Sequence, residues 1–153
     1  MDFAHSRLEG RSRAGPPLDR PPVRERRGTE KGAETMGRLT THVLDTTTGL
    51  PAADLAIALW RIAPDGARTL LVETRTNADG RVDRPLLEGA ALTAGVYELV
   101  FGVGAWLWAH GHTLPDPAFL DEVPLRFGVA DVDRHWHVPL LVSPYGYSTY
   151  RGS

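Results

Sequence analysis

The sequence predicts an all-β fold, an antiparallel β-sandwich of seven to eight short strands with one short helix. Three observations lead to this prediction. From Leu39 onward, apolar and polar residues alternate with the period of two that is typical of strands with one buried face. Turn signals rich in Gly, Pro, Asn and Asp separate the alternating segments. Only one apolar segment lacks the alternation, so we expect almost no helix.

The first part of this region supplies three strands. Each alternating segment ends at residues that favour a turn, such as Pro64, or Gly80, which tolerates a positive φ. The predicted strands cover residues 39–45, 55–62 and 68–76, with a loop at 46–51 and turns at 64–66 and 77–80.

The second part supplies the remaining strands and the helix. Arg81 opens a further extended segment after the turn, and Pro115 and Pro117 force an irregular connection. The segment Ala-Trp-Leu-Trp-Ala-His at 105–110 does not alternate and is predicted as one or two helical turns. The last strands are predicted at residues 96–102, 123–129, 134–142 and 145–150.

The composition excludes several functional classes. With 153 residues, the chain is long enough to form one domain with its own core. The absence of Cys excludes a disulfide scaffold, a thiolate zinc site and a cysteine nucleophile. A net charge of −2 argues against a nucleic-acid partner. Since no apolar run could span a membrane and no signal peptide is visible, we expect a soluble, cytoplasmic protein without a membrane partner.

Residues 1–35 differ in composition from the rest of the chain. They contain eight Lys or Arg, six Asp or Glu and few apolar side chains. Such a segment cannot offset the entropy cost of ordering its backbone, so we predict a disordered basic extension followed by one domain at 36–153. Met36 stands at this boundary. Two interpretations remain open: an upstream start that the working protein does not need, or a flexible tail that belongs to it.

Histidines are the first candidates for chemistry. His135 and His137 stand two residues apart on a predicted strand, so both rings project from one face of the sheet. The structural interpretation is that one ring is exposed and the other makes a hydrogen bond. A zinc site with His42, His110 and His112 is an alternative, but no spacing brings the two pairs together and no acid is placed to orient them.

Other features separate the remaining classes of site. Arg81 alone is typical of a solvated turn residue. The chain has no Gly-x-Ser-x-Gly elbow and no phosphate-binding glycine loop, so a serine hydrolase has little support. The C-terminus alternates through Tyr150, although chain ends usually fray, and this predicts an ordered end that lines a site.

Three motifs occur in order along the chain. They are Thr-His-Val-Leu-Asp at 41–45 followed by Gly-Leu-Pro-Ala at 49–52, Asp-Gly-Arg at 79–81, and His-Trp-His-Val-Pro-Leu-Leu at 135–141, which leads to a closing Tyr-Arg-Gly-Ser at 150–153. Together they closely resemble the 5-hydroxyisourate hydrolases among the transthyretin-related proteins. The resemblance spans about residues 38–153, and the closing tetrapeptide separates these hydrolases from the hormone carrier transthyretin.

The resemblance implies a transthyretin-like sandwich that assembles as a homotetramer, with substrate sites between dimers. It implies hydrolysis of the small molecule 5-hydroxyisourate to 2-oxo-4-hydroxy-4-carboxy-5-ureidoimidazoline in urate degradation, without a metal or organic cofactor. The role of His135 remains open. Carried over by position, the family's catalytic residues are His42, Arg81 and His137, and its substrate-binding residues are His42, Arg81, Tyr150, Ser148 and Ser153.

These residue types suit the implied reaction. A sheet can bring His42 and His137 together from separate strands. With an ordinary pKa near 6.5, a neutral imidazole can take a proton from the attacking water. Arg81 would hold the carbonyl-rich substrate and stabilise charge on oxygen, and Tyr150 would close the site. Which histidine is the general base remains open.

Two other functions share this fold or this chemistry. A transthyretin-like binding protein without catalysis would place small or apolar groups where this chain has His42, Arg81, His137 and Tyr150. A metal-dependent amidohydrolase would lose its activity in a chelator, and we expect no such loss.

Overall fold

A computed structural model describes residues 36–152 of the chain. The predicted disorder of residues 1–35 and the predicted role of Ser153 lie outside the described residues. Within the described range, eleven short strands, one α-helix and one 3-10 turn follow in order. They are β1 (Arg38–Thr40), β2 (Val43–Asp45), β3 (Leu50–Pro51), β4 (Ala56–Ile62), β5 (Arg68–Arg75), β6 (Leu87–Glu88), the 3-10 turn (Gly89–Ala91), β7 (Gly95–Gly102), α1 (Val103–Ala109), β8 (Glu122–Val129), β9 (His135–His137), β10 (Leu140–Ser143) and β11 (Gly146–Thr149).

The strands form two layers. One layer is an antiparallel sheet with the order β5-β4-β7-β8. The other consists of two short sheets, β6-β1-β9 and β11-β10-β2-β3. The chain passes directly from β1 to β2 and from β9 to β10, and both β1–β9 and β2–β10 are parallel pairs. The second layer is therefore built around one long parallel pair that is interrupted near its middle.

Backbone hydrogen bonds continue across this interruption. The Val138 N–H donates to the Thr40 carbonyl at 2.9 Å, and the Leu140 N–H donates to the His42 carbonyl at 2.8 Å. In addition, the Thr41 hydroxyl donates to the Val138 carbonyl at 2.7 Å. The two strands therefore stay together where the regular ladder stops.

A single apolar core lies between the layers. Alternate residues of the long strands point into it, and α1 adds Trp106 and Leu107. Trp106 also donates its indole N–H to the Ala53 carbonyl at 2.7 Å, which fixes the helix against the loop after β3. The largest fully buried side chains are Tyr97, Phe101, Leu39, Leu55, Leu59, Leu99, Leu107, Leu140, Val43, Val103, Val123 and Val142.

The all-β class and the single helix are confirmed, whereas several boundaries differ from the prediction. The predicted strands at 39–45 and 134–142 each divide in two. Pro139 has no N–H to continue the ladder, so the second division has a direct cause. The loop predicted at 46–51 contains the two-residue strand β3, and the helix begins at Val103, two residues earlier than predicted.

The pairing direction is a further difference from the prediction. An entirely antiparallel sandwich was expected, yet β1 and β2 pair with β9 and β10 in parallel. Alternation shows which residues face the core, but it carries no information about strand direction. No helix within residues 36–152 has the length and apolarity needed to cross a membrane.

Candidate active site

The interrupted parallel pair positions two of the predicted site histidines. His42 follows the end of β1, and His137 is the last residue of β9, where it pairs with Thr40. Both imidazoles are partly buried. On β9 the side chains alternate, so that Trp136 packs against the core while His135 and His137 point away from it.

A tight turn brings Arg81 to the same place. The Asn77 side-chain oxygen accepts the backbone N–H groups of Asp79 at 2.9 Å and Arg81 at 3.1 Å, which closes the turn. Gly80 has a φ of 71° and lies against the carbonyl of Val43, where a Cβ atom would clash. Its own carbonyl accepts the Val43 N–H at 2.8 Å. This contact places Arg81 opposite His42 in an isolated β-bridge.

A small cavity of about 280 Å³ opens at this point. Arg81 and His137 lie in its wall. His42 is not part of the wall but pairs with Arg81 next to it. Most groups in the wall are polar or charged, unlike a pocket for an apolar ligand. The lining residues are Arg38, Thr40, Thr41, Arg81, Val82, His135 and His137.

Thr40 is a site residue that the sequence did not reveal. Its hydroxyl lies 2.7 Å from Nε2 of His135 and 2.9 Å from Nδ1 of His137. The bonds join residues about 95 positions apart in the chain. No local pattern could have indicated them, because they depend on the parallel pairing of β1 with β9.

The surroundings of the histidines favour their neutral forms. Burial lowers the pKa of His137, and the positive charges of Arg81, His135 and His42 lower it further. Burial and Arg81 also lower the pKa of His42, although a hydrogen bond to the backbone of Asp79 and the charge of its carboxylate oppose this. For His135, burial and the charge of Arg38 lower the pKa. At neutral pH the cavity therefore contains imidazoles able to accept a proton beside a permanent cation.

The C-terminal segment packs along β9. The Gly152 N–H donates to the His137 carbonyl at 2.8 Å, and the guanidinium carbon of Arg151 lies 4.6 Å from the centre of the Trp136 ring. A Cβ atom on Gly152 would lie 2.7 Å from Cδ2 of His137. Only glycine leaves room for the imidazole in this position. The end of the chain thus contacts the candidate base directly.

A family model described as the HIUase/Transthyretin family matches residues 39–152, a range that contains every cavity residue except Arg38. The chain belongs to the HIUase/Transthyretin family. A 5-hydroxyisourate hydrolase of Ralstonia nicotianae is 64% identical to it over 118 residues, which cover 77% of this chain and 100% of that protein.

Solved structures of the HIUase/Transthyretin family match the fold. Klebsiella pneumoniae 5-hydroxyisourate hydrolase gives a TM-score of 0.62 at 35% identity, covering 76% of this chain and 94% of that chain. Sea bream transthyretin in complex with thyroxine gives a TM-score of 0.68 at 28% identity, covering 75% of this chain and 94% of that chain. The same fold therefore occurs in an enzyme and in a protein that binds a hormone.

In this HIUase/Transthyretin family chain, the predicted site residues divide into two groups. Arg81 and His137 lie in the cavity wall, and His42 lies beside them, opposite Arg81 in the β-bridge. Ser148 and Tyr150 are exposed on the C-terminal segment and are absent from the cavity wall. Tyr150 instead lines a separate cavity of about 540 Å³, together with Trp136 of β9 and residues of β8 and β11.

The two histidine pairs considered for zinc lie in different surroundings. His110 stacks on Trp106 with ring centres 4.1 Å apart, and Nε2 of His112 lies 3.2 Å from the buried Asp45 carboxylate. His135 and His137 instead share Thr40. Among residues 36–152, no three His, Asp or Glu side chains are grouped as metal ligands would be. The sequence showed no sign of the His112–Asp45 contact, because it joins the segment after α1 to the end of β2.

Proposed function

We propose that this protein catalyses the hydrolytic ring opening of 5-hydroxyisourate, with 2-oxo-4-hydroxy-4-carboxy-5-ureidoimidazoline as the product. The observation that carries this proposal is one small polar cavity with Arg81 and His137 in its wall and His42 beside it, paired with Arg81 in a β-bridge. The hydrolase relatives, which this chain matches over nearly their whole length, supply the substrate.

His137 is the candidate general base. Its lowered pKa keeps the imidazole neutral near pH 7, as deprotonation of water requires. The water oxygen bonds to the amide carbonyl carbon of the six-membered ring while its proton moves to the imidazole. The C–N bond then breaks, the carbonyl carbon becomes the new carboxyl group, and the ring nitrogen takes up the proton as part of the ureido group. His42 also positions the water.

Arg81 is the candidate electrostatic group. A guanidinium offers several N–H donors in a fixed plane and stays charged at any working pH. Beside the attacked carbonyl, it stabilises the negative charge that develops on oxygen in the transition state. The same charge favours the neutral histidines, so one residue serves both functions.

The alternative is a transthyretin-like binding protein without catalysis. Its support is the shared fold, since sea bream transthyretin is solved with thyroxine bound. A binding site for a largely apolar ligand is lined by apolar side chains. The cavity here contains two arginines and two histidines instead, which favours the hydrolase.

We also propose that the protein works as a homotetramer in which Tyr150, Ser148 and Ser153 complete a site between chains. Tyr150 is 59% exposed in the single chain, and other large apolar side chains of the same layer are also exposed. Exposed apolar groups of this size indicate a surface that is covered in the assembly. They are Leu50, Tyr145 and Tyr147. Size-exclusion chromatography with light scattering would measure the mass of the assembly. A monomer would contradict this proposal.

An ultraviolet assay tests the activity. Urate oxidase generates 5-hydroxyisourate in the cuvette, and the decay of its absorbance is followed with and without the purified protein. We expect a decay far faster than the spontaneous one. A decay equal to the spontaneous rate would exclude the hydrolase function.

A further inference from the structure

Thr40 makes two contacts that limit how the site histidines are protonated. Its single hydroxyl lies within hydrogen-bond distance of Nε2 of His135 and Nδ1 of His137. A hydroxyl has one proton to donate, whereas its oxygen can accept others. When both imidazoles are neutral, Thr40 therefore donates to one ring and accepts an N–H from the other.

Only two arrangements satisfy both contacts. In the first, His137 carries its proton on Nδ1 and donates it to Thr40, which donates in turn to His135. In the second, His135 donates from Nε2 to Thr40, which donates to Nδ1 of His137. The first leaves Nε2 of His137 with a free lone pair, and the second puts a proton there. The direction of this chain of hydrogen bonds therefore decides whether Nε2 of His137 can act as a base.

The charges around the cavity favour the first arrangement. Arg81 has only N–H donors, so its positive field favours a lone pair over an N–H on the free nitrogen of His137. Arg38, on β1, acts on His135 in the opposite sense, because a lone pair on the free Nδ1 of His135 belongs to the second arrangement. It is a single positive neighbour, whereas both Arg81 and His42 act on His137. None of these neighbours offers a carboxylate that would stabilise an N–H on the free nitrogen.

We propose that Thr40, with His135 as the acceptor of its hydroxyl proton, is a positioning residue that holds His137 in the tautomer with Nε2 free. This assigns His135 a supporting function as well. The arrangement is similar in principle to other catalytic histidines, whose second nitrogen is fixed by an oxygen acceptor. The inference rests on the proposed hydrolase function only for its kinetic consequence, because the tautomer can be measured without any substrate.

Two variants of the full-length protein test this role. Thr40→Val keeps the shape of the side chain and removes the hydroxyl, so we expect kcat to fall at least about tenfold, with a KM change of less than about twofold. Thr40→Ser restores the hydroxyl and should recover most of the lost rate. Thr69→Val, on the exposed surface of β5, is the matched control and should leave both constants unchanged. Folding of each variant is checked by circular dichroism.

Nitrogen-15 correlation spectra of histidine-labelled protein give the second readout. In the unmodified protein, we expect the proton of His137 on Nδ1, and in Thr40→Val we expect a shift toward the Nε2-protonated form. A proton on Nε2 in the unmodified protein would overturn the proposal even if Thr40→Val did not fold. Wild-type kcat in a folded Thr40→Val protein would overturn it as well. If the unmodified protein showed no turnover, the hydrolase function would be contradicted, but the measured tautomer of His137 would still stand.

Discussion

Gly152 lies against the ring of His137, and its backbone N–H bonds to the carbonyl of the same residue at 2.8 Å. The penultimate residue of the chain therefore sets the position of a candidate catalytic side chain.

Gly152→Ala should impair both turnover and stability. The added methyl group would lie 2.7 Å from Cδ2 of His137, so the imidazole has to move. A misplacement of about 1 Å can cost roughly 10²-fold in rate, whereas overpacking of this kind costs about 1–3 kcal/mol of stability. Gly146→Ala on β11 is the matched control, since the nearest atom to its Cβ lies 3.9 Å away. Equal turnover in the two variants would contradict this effect.

His137→Ala should lower kcat by at least about 10²-fold, because a general base contributes about 10²–10⁴ to the rate. The coupled ultraviolet assay measures this loss. His110→Ala removes an exposed imidazole at the end of α1 and should retain full activity. A His137→Ala protein with near-normal turnover would exclude His137 as the base.

Arg81→Gln should raise the pKa of His137. Burial is the larger cause of the lowered pKa, but the Arg81 charge adds to it, and the variant removes only the charge. In the unmodified protein, His137 therefore stays neutral as the pH falls through the ordinary value of 6.5, and activity is lost only below it. In the variant, protonation and the loss of activity should move to higher pH. Proton NMR titration measures the shift directly, with the exposed Arg84→Gln as control.

Asp45→Ala should destabilise the fold without changing the chemistry of the cavity. The carboxylate is 2% exposed and accepts the Thr47 N–H at 2.9 Å, and His112 lies 3.2 Å from it. Buried donors left without an acceptor cost about 1–3 kcal/mol each. Urea unfolding measures the loss.

Asp65→Ala is the control for that measurement. Asp65 accepts the Ala67 N–H at the same distance of 2.9 Å, but its turn is exposed. A surface change of this kind stays within about 0.5 kcal/mol. Equal losses of stability in the two variants would show that the buried position of Asp45 has no special effect.

Removal of residues 1–35 should leave kcat and KM unchanged. The family model begins at Leu39, and each cavity residue lies at Arg38 or beyond. The coupled assay on the shortened and full-length proteins compares them directly. A change of more than about tenfold, equivalent to about 1.4 kcal/mol, would show that the extension takes part in the site.

Local patterns in the sequence predicted most of the fold. Alternation and turn signals predicted the strands that contain Leu59 and Leu99, both fully buried, because these signals depend only on neighbouring residues. The absence of alternation identified the helix around Trp106. Strand direction could not be predicted in this way, since the parallel pairing of β1 with β9 joins distant segments.

The candidate site was predicted through motifs rather than through local patterns. The resemblance indicated His42, Arg81 and His137, which the fold brings together. It did not indicate Thr40, whose importance depends on contacts across about 95 residues. The expected positions of Ser148 and Tyr150 in the site remain predictions, because neither residue lines the cavity of the single chain.

The alternation along β9 makes the chain sensitive to changes in length. His135 and His137 face the cavity only because Trp136, between them, faces the core. If one residue were deleted from the loop before β9 and the backbone hydrogen bonds of β9 formed again, every side chain of β9 would move to the opposite face of the sheet. The indole would then fill the cavity and both imidazoles would enter the apolar interior. Insertions and deletions in residues 130–134 are therefore expected to be tolerated far less well than substitutions there.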